Sequence, residues 1–244
     1  MAAPLRGAGK MNESIKGNIE RVRERIMAAC RRSGRQPEDV KLIAISKTFP
    51  AERIREAYEA GLRDFGENRV QEADAKRPAL ADLTITWHLV GHLQTNKARP
   101  ARELFHWIHS VDSLRLAEKL DQAAACSGER LPVLLEVNLG EEASKSGVRE
   151  AVLIPLAEQV SRLATIEIRG LMVIPPFLED PERTRPYFRR LRELARQLET
   201  ASLPGVSTHE LSVGMSHDFE VAIEEGATMV RVGTAIFGER KPRD

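Results

Sequence analysis

Long apolar runs are missing from this chain of 244 residues: none approaches the ~20 residues that a helix needs to cross a bilayer. One-sided charge is missing as well, because 37 basic residues face 36 acidic ones and the formal net charge is +1. Residues 1–10 lack the apolar centre of a secretory signal, and we interpret residues 1–11 as a disordered tip before a single domain, residues 12–244. These absences argue against membrane and nucleic-acid partners.

Cysteine is scarce, and the two that are present, Cys30 and Cys126, fall on predicted helices. They have neither the spacing of a metal site nor the pattern of a disulfide framework, so we expect a cytoplasmic protein without a metal ion. The glycine-rich fingerprint of dinucleotide-binding sheets is also absent. Its absence disfavours an open doubly wound sheet.

Apolar strands and amphipathic helices alternate along the whole chain. The first four predicted strands end at nearly equal spacing, at Lys47, Asn68, Gly91 and Asp112. Alternation of this kind is typical of βαβ units, and eight such units most often close into a barrel. We therefore predict an α/β fold, a single (β/α)8 TIM-like barrel. Because little sequence follows the eighth strand, an N-terminal helix of about residues 12–32 is expected to replace the eighth outer helix.

Residues 148–164 are predicted to form a helix and residues 228–237 the last strand. Residues 148–164 have a helical pattern, although Pro155 makes the first turns of that helix uncertain. Residues 228–237 have the apolar composition of the last strand.

Lys47 closes the first predicted strand. The apolar run 42–45 is typical of a strand buried on both faces, and it ends abruptly at Ser46 and Lys47. The carboxyl ends of such strands are where α/β barrels carry out their chemistry. A lysine beside low-dielectric walls can lose its proton and attack a carbonyl to form a Schiff base. The alternative is a lysine that only reaches from the barrel rim into solvent.

Small and hydroxyl residues follow the last two strands. Residues 211–216, Leu-Ser-Val-Gly-Met-Ser, place two hydroxyls around a glycine, and residues 231–234, Arg-Val-Gly-Thr, end the neighbouring strand. Loops in these positions commonly bind phosphate in α/β barrels. A Schiff-base lysine beside a phosphate site indicates pyridoxal 5'-phosphate, although a sugar-phosphate enzyme would use the same arrangement.

Motifs on nearly every strand resemble those of the pyridoxal phosphate homeostasis protein family, which are single-domain relatives of the alanine racemase barrel. They are Ala-Ile-Ser-Lys (44–47), Phe-Gly-Glu-Asn (65–68), Trp-His-Leu-Val-Gly (87–91), Leu-Gln-Thr-Asn-Lys (93–97), Ser-Lys-Ser-Gly (144–147), Arg-Gly-Leu-Met (169–172), Leu-Ser-Val-Gly-Met-Ser (211–216) and Val-Arg-Val-Gly-Thr-Ala-Ile-Phe-Gly (230–238). This chain departs from the family pattern at His92 and at residues 217–219.

The resemblance implies a role for each of eight residues. Lys47 is expected to carry pyridoxal phosphate as a Schiff base, and Asn68 to line the pocket. The guanidinium of Arg231 is expected to face the pyridine nitrogen. The phosphate contacts implied are Ser212, Met215, Ser216, Gly233 and Thr234.

The absence of a second acid/base argues for a carrier rather than an enzyme. Racemisation needs a proton donor on the face of the substrate opposite the lysine. The only tyrosines, Tyr58 and Tyr187, fall on predicted outer helices. A guanidinium at the pyridine nitrogen also makes the ring a poorer electron sink. We therefore expect a protein of vitamin B6 homeostasis, with a low-activity amino-acid racemase as the alternative.

Apo-enzymes that depend on pyridoxal phosphate are possible recipients, and a monomer or weak dimer is expected. Lys145, on the loop after the fifth strand, is either a solvated side chain or a second amine that helps to transfer the cofactor.

Overall fold

A computed structural model describes residues 14–123, 130–140 and 146–239. The predicted tip, Cys126, Lys145 and the last two residues of the helix predicted to reach residue 125 lie outside these ranges. Within the described ranges, no helix is long and apolar enough to cross a membrane.

The strands form one parallel sheet that closes on itself. They are β1 (Lys41–Ile45), β2 (Asp64–Glu67), β3 (Thr86–Leu89), β4 (Trp107–Val111), β5 (Leu131–Asn138), β6 (Val148–Arg149), β7 (Ile166–Met172), β8 (Val206–Met215) and β9 (Met229–Val232). The order is β4-β3-β2-β1-β9-β8-β7-β5, and a pairing of β4 with β5 closes the barrel, while the two-residue β6 extends the edge of β5. The predicted eight-stranded barrel is confirmed.

Helices cover the outside of the barrel. They are α1 (Ile15–Ser33), α2 (Ala51–Glu59), α3 (Val70–Lys76), α4 (Ala98–Leu104), α5 (Leu114–Ala123), α6 (Leu153–Ser161), α7 (Arg185–Thr200), α8 (Phe219–Glu224) and α9 (Thr234–Phe237). Short 3-10 turns occur at Pro37–Asp39, Arg77–Leu80, Thr95–Lys97, Glu150–Val152 and Pro181–Thr184.

Helix α1 packs over the end of the barrel sequence, as predicted. Its buried positions recur at helical spacing: Ile15, Ile19, Val22, Ile26, Ala29 and Cys30. The Ser14 hydroxyl caps its first turn by accepting from Gly17 N, and Gly34 ends it at φ 70°. Asn18 Nδ2 donates to Ile236 O at 2.8 Å, which joins α1 directly to α9.

Aliphatic side chains fill the barrel interior. Ile43, Ile45, Val90, Leu134, Met172 and Met229 form a cluster inside the barrel, separate from the larger core between barrel and helices. Because side chains alternate along a strand, Ile43, Ile45 and Lys47 belong to the inward series of the first βα unit. The same alternation directs Ala44 and Ser46 towards the outer helices.

Two predicted boundaries were wrong. Residues 148–149 form β6, paired with Val137 and Asn138, and the helix begins only at Leu153. Pro155 is then in the first helical turn, where its missing N–H needs no partner. The last strand ends at Val232, and residues 234–237 turn into α9. A short apolar run fits a buried helix as well as a strand, so its pattern alone could not distinguish them.

Candidate cofactor site

Lys47 lies at the carboxyl-terminal mouth of the barrel, two residues beyond the end of β1. Its side chain is half-buried. Thr48 has φ 69°, an uncommon conformation for a β-branched residue, and Phe49 N donates to Ser46 O at 3.1 Å. The chain therefore turns sharply just after the lysine, as active-site loops often do.

A buried polar cluster behind Lys47 holds this turn. Glu67 is fully buried and its Oε1 accepts from Ser46 Oγ at 2.7 Å and from Lys76 Nζ at 2.6 Å. Lys76 Nζ also donates to Ser46 O at 2.9 Å, and Glu72 Oε2 accepts from Thr48 N at 3.3 Å. Burial raises the pKa of Glu67 to about 7, although Lys76 and Ser46 favour its ionised form.

Asn68 lies beside Lys47 at the end of the next strand. Ile45 pairs with Gly66, so the residues two positions further on reach the same level of the mouth. The loop after β3 lies close to the Asn68 backbone at Gly91. A Cβ at Gly91 would come 2.4 Å from Asn68 O. Only a glycine fits there, and it fixes the position of the Asn68 backbone.

The loops after β8 and β9 meet through Ser216. Its hydroxyl accepts from Gly233 N at 3.2 Å and from Ala235 N at 3.3 Å. Ser216 and Gly233 are half-buried, and Thr234 is exposed at the mouth. Met215 lies at the same rim, but its N–H already donates to Asp218 Oδ1 at 2.7 Å. Hydroxyls and backbone amides thus converge on the side of the mouth next to β1.

Arg231 and Ser212 lie deeper, inside the barrel. Arg231 Nη1 donates to Ser212 O at 2.6 Å and to Ser212 Oγ at 2.7 Å, and Nη2 donates to Val173 O at 2.9 Å. Burial lowers the pKa of Arg231 to about 10, so the guanidinium still carries its charge at neutral pH. The Ser212 hydroxyl is fully buried and bonded within the barrel. It is therefore part of the support of Arg231 and does not face the mouth.

The structure thus brings together the eight residues predicted as the site, at two levels. Lys47, Asn68, Met215, Ser216, Gly233 and Thr234 lie at the mouth, and Ser212 and Arg231 lie beneath them. His88, near the end of β3, is fully buried in the barrel interior.

Sequence reasoning missed three polar residues of the barrel. Glu67 and His109 are fully buried, and Asp64 is half-buried at the end of the barrel opposite the mouth. None of the three is the last residue of a predicted strand. Alternation along β2 and β4 contained the signal, since it assigns Asp64 and His109 to the inward face and Glu67 to the helix side. Among the described residues, no cluster of carboxylate, histidine and cysteine side chains has the arrangement of a metal site.

Comparison with known proteins identifies the family. Residues 14–241 match the family described as the N-terminal domain of alanine racemase. The pyridoxal phosphate homeostasis protein of Aquifex aeolicus is 50% identical over 223 residues, which cover 91% of this chain and 97% of that protein. The Escherichia coli K12 protein of the same name is 45% identical over 238 residues, 94% of this chain and 98% of its own. This chain belongs to the pyridoxal phosphate homeostasis protein family.

Solved structures agree with the family assignment. PipY of Synechococcus elongatus, solved with PLP bound, superimposes with a TM-score of 0.82 at 45% identity, covering 92% of this chain and 100% of that one. Alanine racemase of Clostridium difficile 630 has a TM-score of 0.71 at 15% identity, covering 96% of this chain and 61% of that one. The second likeness shows a shared barrel fold only.

Proposed function

We propose that this protein binds pyridoxal 5'-phosphate as a Schiff base on Lys47 and takes part in vitamin B6 homeostasis as a carrier of the cofactor. The observation that carries the proposal is the pairing of β1 with β9, because Lys47 follows the end of β1 and Arg231, paired with Ile43, lies beneath it. The PLP-bound PipY relative, with its 45% identity, supports the ligand.

The groups at the mouth suit the three functional parts of this cofactor. An amine at Lys47 suits an aldehyde, and a guanidinium at Arg231 suits a pyridine nitrogen. The Ser216 hydroxyl and the backbone of Gly233 and Thr234 suit a phosphate. Lys47 would hold the cofactor covalently: its amine would condense with the aldehyde that the bound cofactor supplies, with a C=N bond formed and the aldehyde oxygen released as water.

Arg231 favours holding the cofactor over using it as an electron sink. Its guanidinium keeps its proton and would donate to the ring nitrogen of a bound cofactor, which would therefore stay unprotonated. An unprotonated pyridine withdraws electrons less strongly from a reacting carbon. The site is accordingly better suited to retain the cofactor than to form carbanions.

The tyrosines lie on outer helices, as the sequence predicted. Tyr58 is on α2, where Arg63 stacks over its ring at 3.8 Å, and Tyr187 is on α7. Both pack against the core between barrel and helices, a placement that favours neither as a proton donor opposite Lys47. Low racemase activity remains the alternative, since His92 Nδ1 lies 3.4 Å from Asp112 Oδ2 at the mouth and forms an acid/base pair there.

The carrier role implies recipients and a location. We infer that apo-enzymes requiring pyridoxal phosphate accept the cofactor in the cytoplasm, and that the protein acts as a monomer or weak dimer. Lys145, the second amine considered for transfer, lies outside the described residues.

Trapping the cofactor tests the proposal. The purified protein is mixed with pyridoxal phosphate, reduced with borohydride and mapped by peptide mass spectrometry. The pyridoxyl adduct is expected on Lys47 and should be absent from Lys47→Ala. The control is Lys97→Ala, which removes another lysine near the same mouth and should keep the adduct. The proposal would be contradicted by an adduct mainly on another lysine, together with a Lys47→Ala protein that keeps the absorbance of bound pyridoxal phosphate. Racemisation of free amino acids by the wild type would favour the alternative.

A further inference from the structure

A chain of hydrogen bonds crosses the barrel interior beneath the cofactor site. His88 Nε2 lies 3.0 Å from Asp64 Oδ1, and His88 Nδ1 lies 3.0 Å from His109 Nε2. His109 Nδ1 lies 2.8 Å from Ser212 Oγ, which accepts from Arg231 Nη1 at 2.7 Å. These five residues come from β2, β3, β4, β8 and β9, so the chain spans the barrel from one wall to the other.

The two ends of this chain differ in exposure. His88, His109 and Ser212 are fully buried, and Arg231 is 4% exposed. The Asp64 side chain is 23% exposed and begins β2, at the end of the barrel opposite the mouth. The chain therefore connects a carboxylate on the far face of the barrel with the guanidinium below Lys47.

The chemistry of the end groups fixes the direction of every bond. A guanidinium can only donate and an ionised carboxylate can only accept. The ionised carboxylate of Asp64 accepts from His88 Nε2, so a neutral His88 accepts at Nδ1 from His109 Nε2. A neutral His109 then accepts at Nδ1 from the Ser212 hydroxyl, whose oxygen accepts from Arg231. Both neutral rings therefore carry their proton on Nε2.

The charges around the chain are consistent with this direction. Burial lowers the pKa of both His88 and His109, which keeps the rings neutral. Burial would raise the pKa of Asp64, but the hydrogen bond from His88 and the charge of Lys41, 3.7 Å away, lower it overall. Asp64 is then ionised at neutral pH and terminates the chain as an acceptor.

One of the hydrogen bonds of Arg231 belongs to this chain. In the described part of the protein, its guanidinium bonds to two carbonyls and to the Ser212 hydroxyl, and it forms no ion pair. The buried carboxyls that act on it electrostatically, Glu136 and Asp218, have pKa values raised by burial. Through the polarised hydroxyl of Ser212, Arg231 is in addition linked by hydrogen bonds to the ionised carboxylate of Asp64.

We propose that Asp64, His88, His109 and Ser212 act as positioning residues, forming a one-directional relay that orients Arg231 towards the pyridine nitrogen of the bound cofactor. This inference rests on the proposed function, since the cofactor gives Arg231 its target. It predicts that a carboxylate at the far face of the barrel affects how the ring nitrogen is held.

Nitrogen-15 NMR of histidine side chains tests the direction of the relay without any cofactor. His88 and His109 in the apo protein are expected to be neutral with the proton on Nε2. Ser212→Ala removes the donor to His109 Nδ1 and should change the chemical shift of that nitrogen. A proton on Nδ1 of either ring would overturn the relay.

Cofactor affinity tests the effect of the relay on Arg231. Ser212→Ala is expected to raise the dissociation constant of pyridoxal phosphate roughly fivefold, as for one lost buried hydrogen bond, and to shift its absorbance maximum. Asp64→Asn, a milder change at a partly exposed side chain, should move both quantities in the same direction by less. Asp82→Asn, which removes an exposed carboxylate paired with Arg55 on an outer helix, is the matched control.

A ligand without the ring nitrogen isolates the contact. The 1-deaza analogue of pyridoxal phosphate keeps the aldehyde and the phosphate, so its dissociation constant should be the same for the wild type and both variants. Equal weakening of both ligands, or no change in either, would overturn the relay. Failure of the proposed function would look different: the wild type itself would give no adduct on Lys47, while the tautomers could still be measured in the apo protein.

Discussion

Lys76 Nζ lies 2.6 Å from Glu67 Oε1 in a buried pocket behind Lys47, and it also bonds to the carbonyl of Ser46. The second carboxylate oxygen of Glu67 is buried without a hydrogen-bond partner. Burial of an incompletely satisfied carboxylate disfavours its ionised form, which explains why the pKa of Glu67 rises from 4.5 to about 7 despite the ammonium.

Glu67→Gln should change how stability depends on pH. Between pH 4.5 and about 7, folded wild type keeps a proton that the unfolded chain has released, so its free energy of unfolding falls as the pH rises. The glutamine variant lacks this dependence. Its free energy of unfolding, relative to that of the wild type, should therefore rise by about 1–3 kcal/mol between pH 5 and pH 8. Urea denaturation at several pH values measures the difference, with exposed Glu103→Gln as the control. A difference that stays constant or changes in the opposite direction would show that Glu67 is ionised throughout.

Ser216→Ala combined with Thr234→Val should weaken pyridoxal phosphate far more than pyridoxal. Pyridoxal has no phosphate and therefore loses no phosphate contacts in the variant. For pyridoxal phosphate, each charge-assisted hydrogen bond removed costs on the order of 1.5–3 kcal/mol of binding free energy. Titrations with the two ligands measure the effect. Ser202→Ala, on an exposed turn, is the control. Equal weakening of both ligands would show that the phosphate does not bind at Ser216 and Thr234.

Gly91→Ala should destabilise the protein by about 1–3 kcal/mol and reduce cofactor binding. The added methyl group would lie 2.4 Å from Asn68 O and 2.8 Å from Asn68 Cα, so the backbone beside Lys47 must move. Thermal unfolding and cofactor titration measure the two effects. Gly17→Ala, in the first turn of α1, has room for a methyl group and should be neutral or stabilising.

Arg35→Met should destabilise the protein by about 1–3 kcal/mol. The guanidinium donates to Ile223 O at 2.8 Å and to Ala227 O at 2.7 Å, and these two carbonyls would lose their partner. Arg31→Met, on the exposed face of α1, is matched in charge and size and should have little effect. Similar destabilisation by both substitutions would mean that the loss of these two hydrogen bonds is not what weakens the Arg35→Met variant.

The sequence predicted the barrel and the positions of Lys47, Asn68 and Arg231 because repeated βα spacing and strand ends are local patterns. It did not predict which residues contact one another across the interior. Ser212 appeared in the sequence beside the phosphate loop, but its partners His109 and Arg231 come from other walls of the barrel. Contacts between strands distant in sequence depend on closure and register, which no local pattern specifies.

Glu67 and the residues of α9 show two other limits. A glutamate at the end of a strand is usually exposed, and only the packing of α3 with Lys76 explains its burial. Residues 234–237 are apolar enough for a strand, but β9 ends level with Ala44 of β1, and the chain then turns outward to meet α1. Tertiary contacts decide such short segments.

The pairing of β1 with β9 determines when the barrel can close during synthesis on the ribosome. β1 can pair with β2 once both have emerged, but its other edge pairs with β9, the last of the described strands. Until then the edges of β1 and β8 remain unpaired, and α1 has no α8 or α9 to cover its apolar face. A nascent chain that has emerged only as far as β8 is therefore open to pairing with other chains, and barrel closure must follow translation of the final segment.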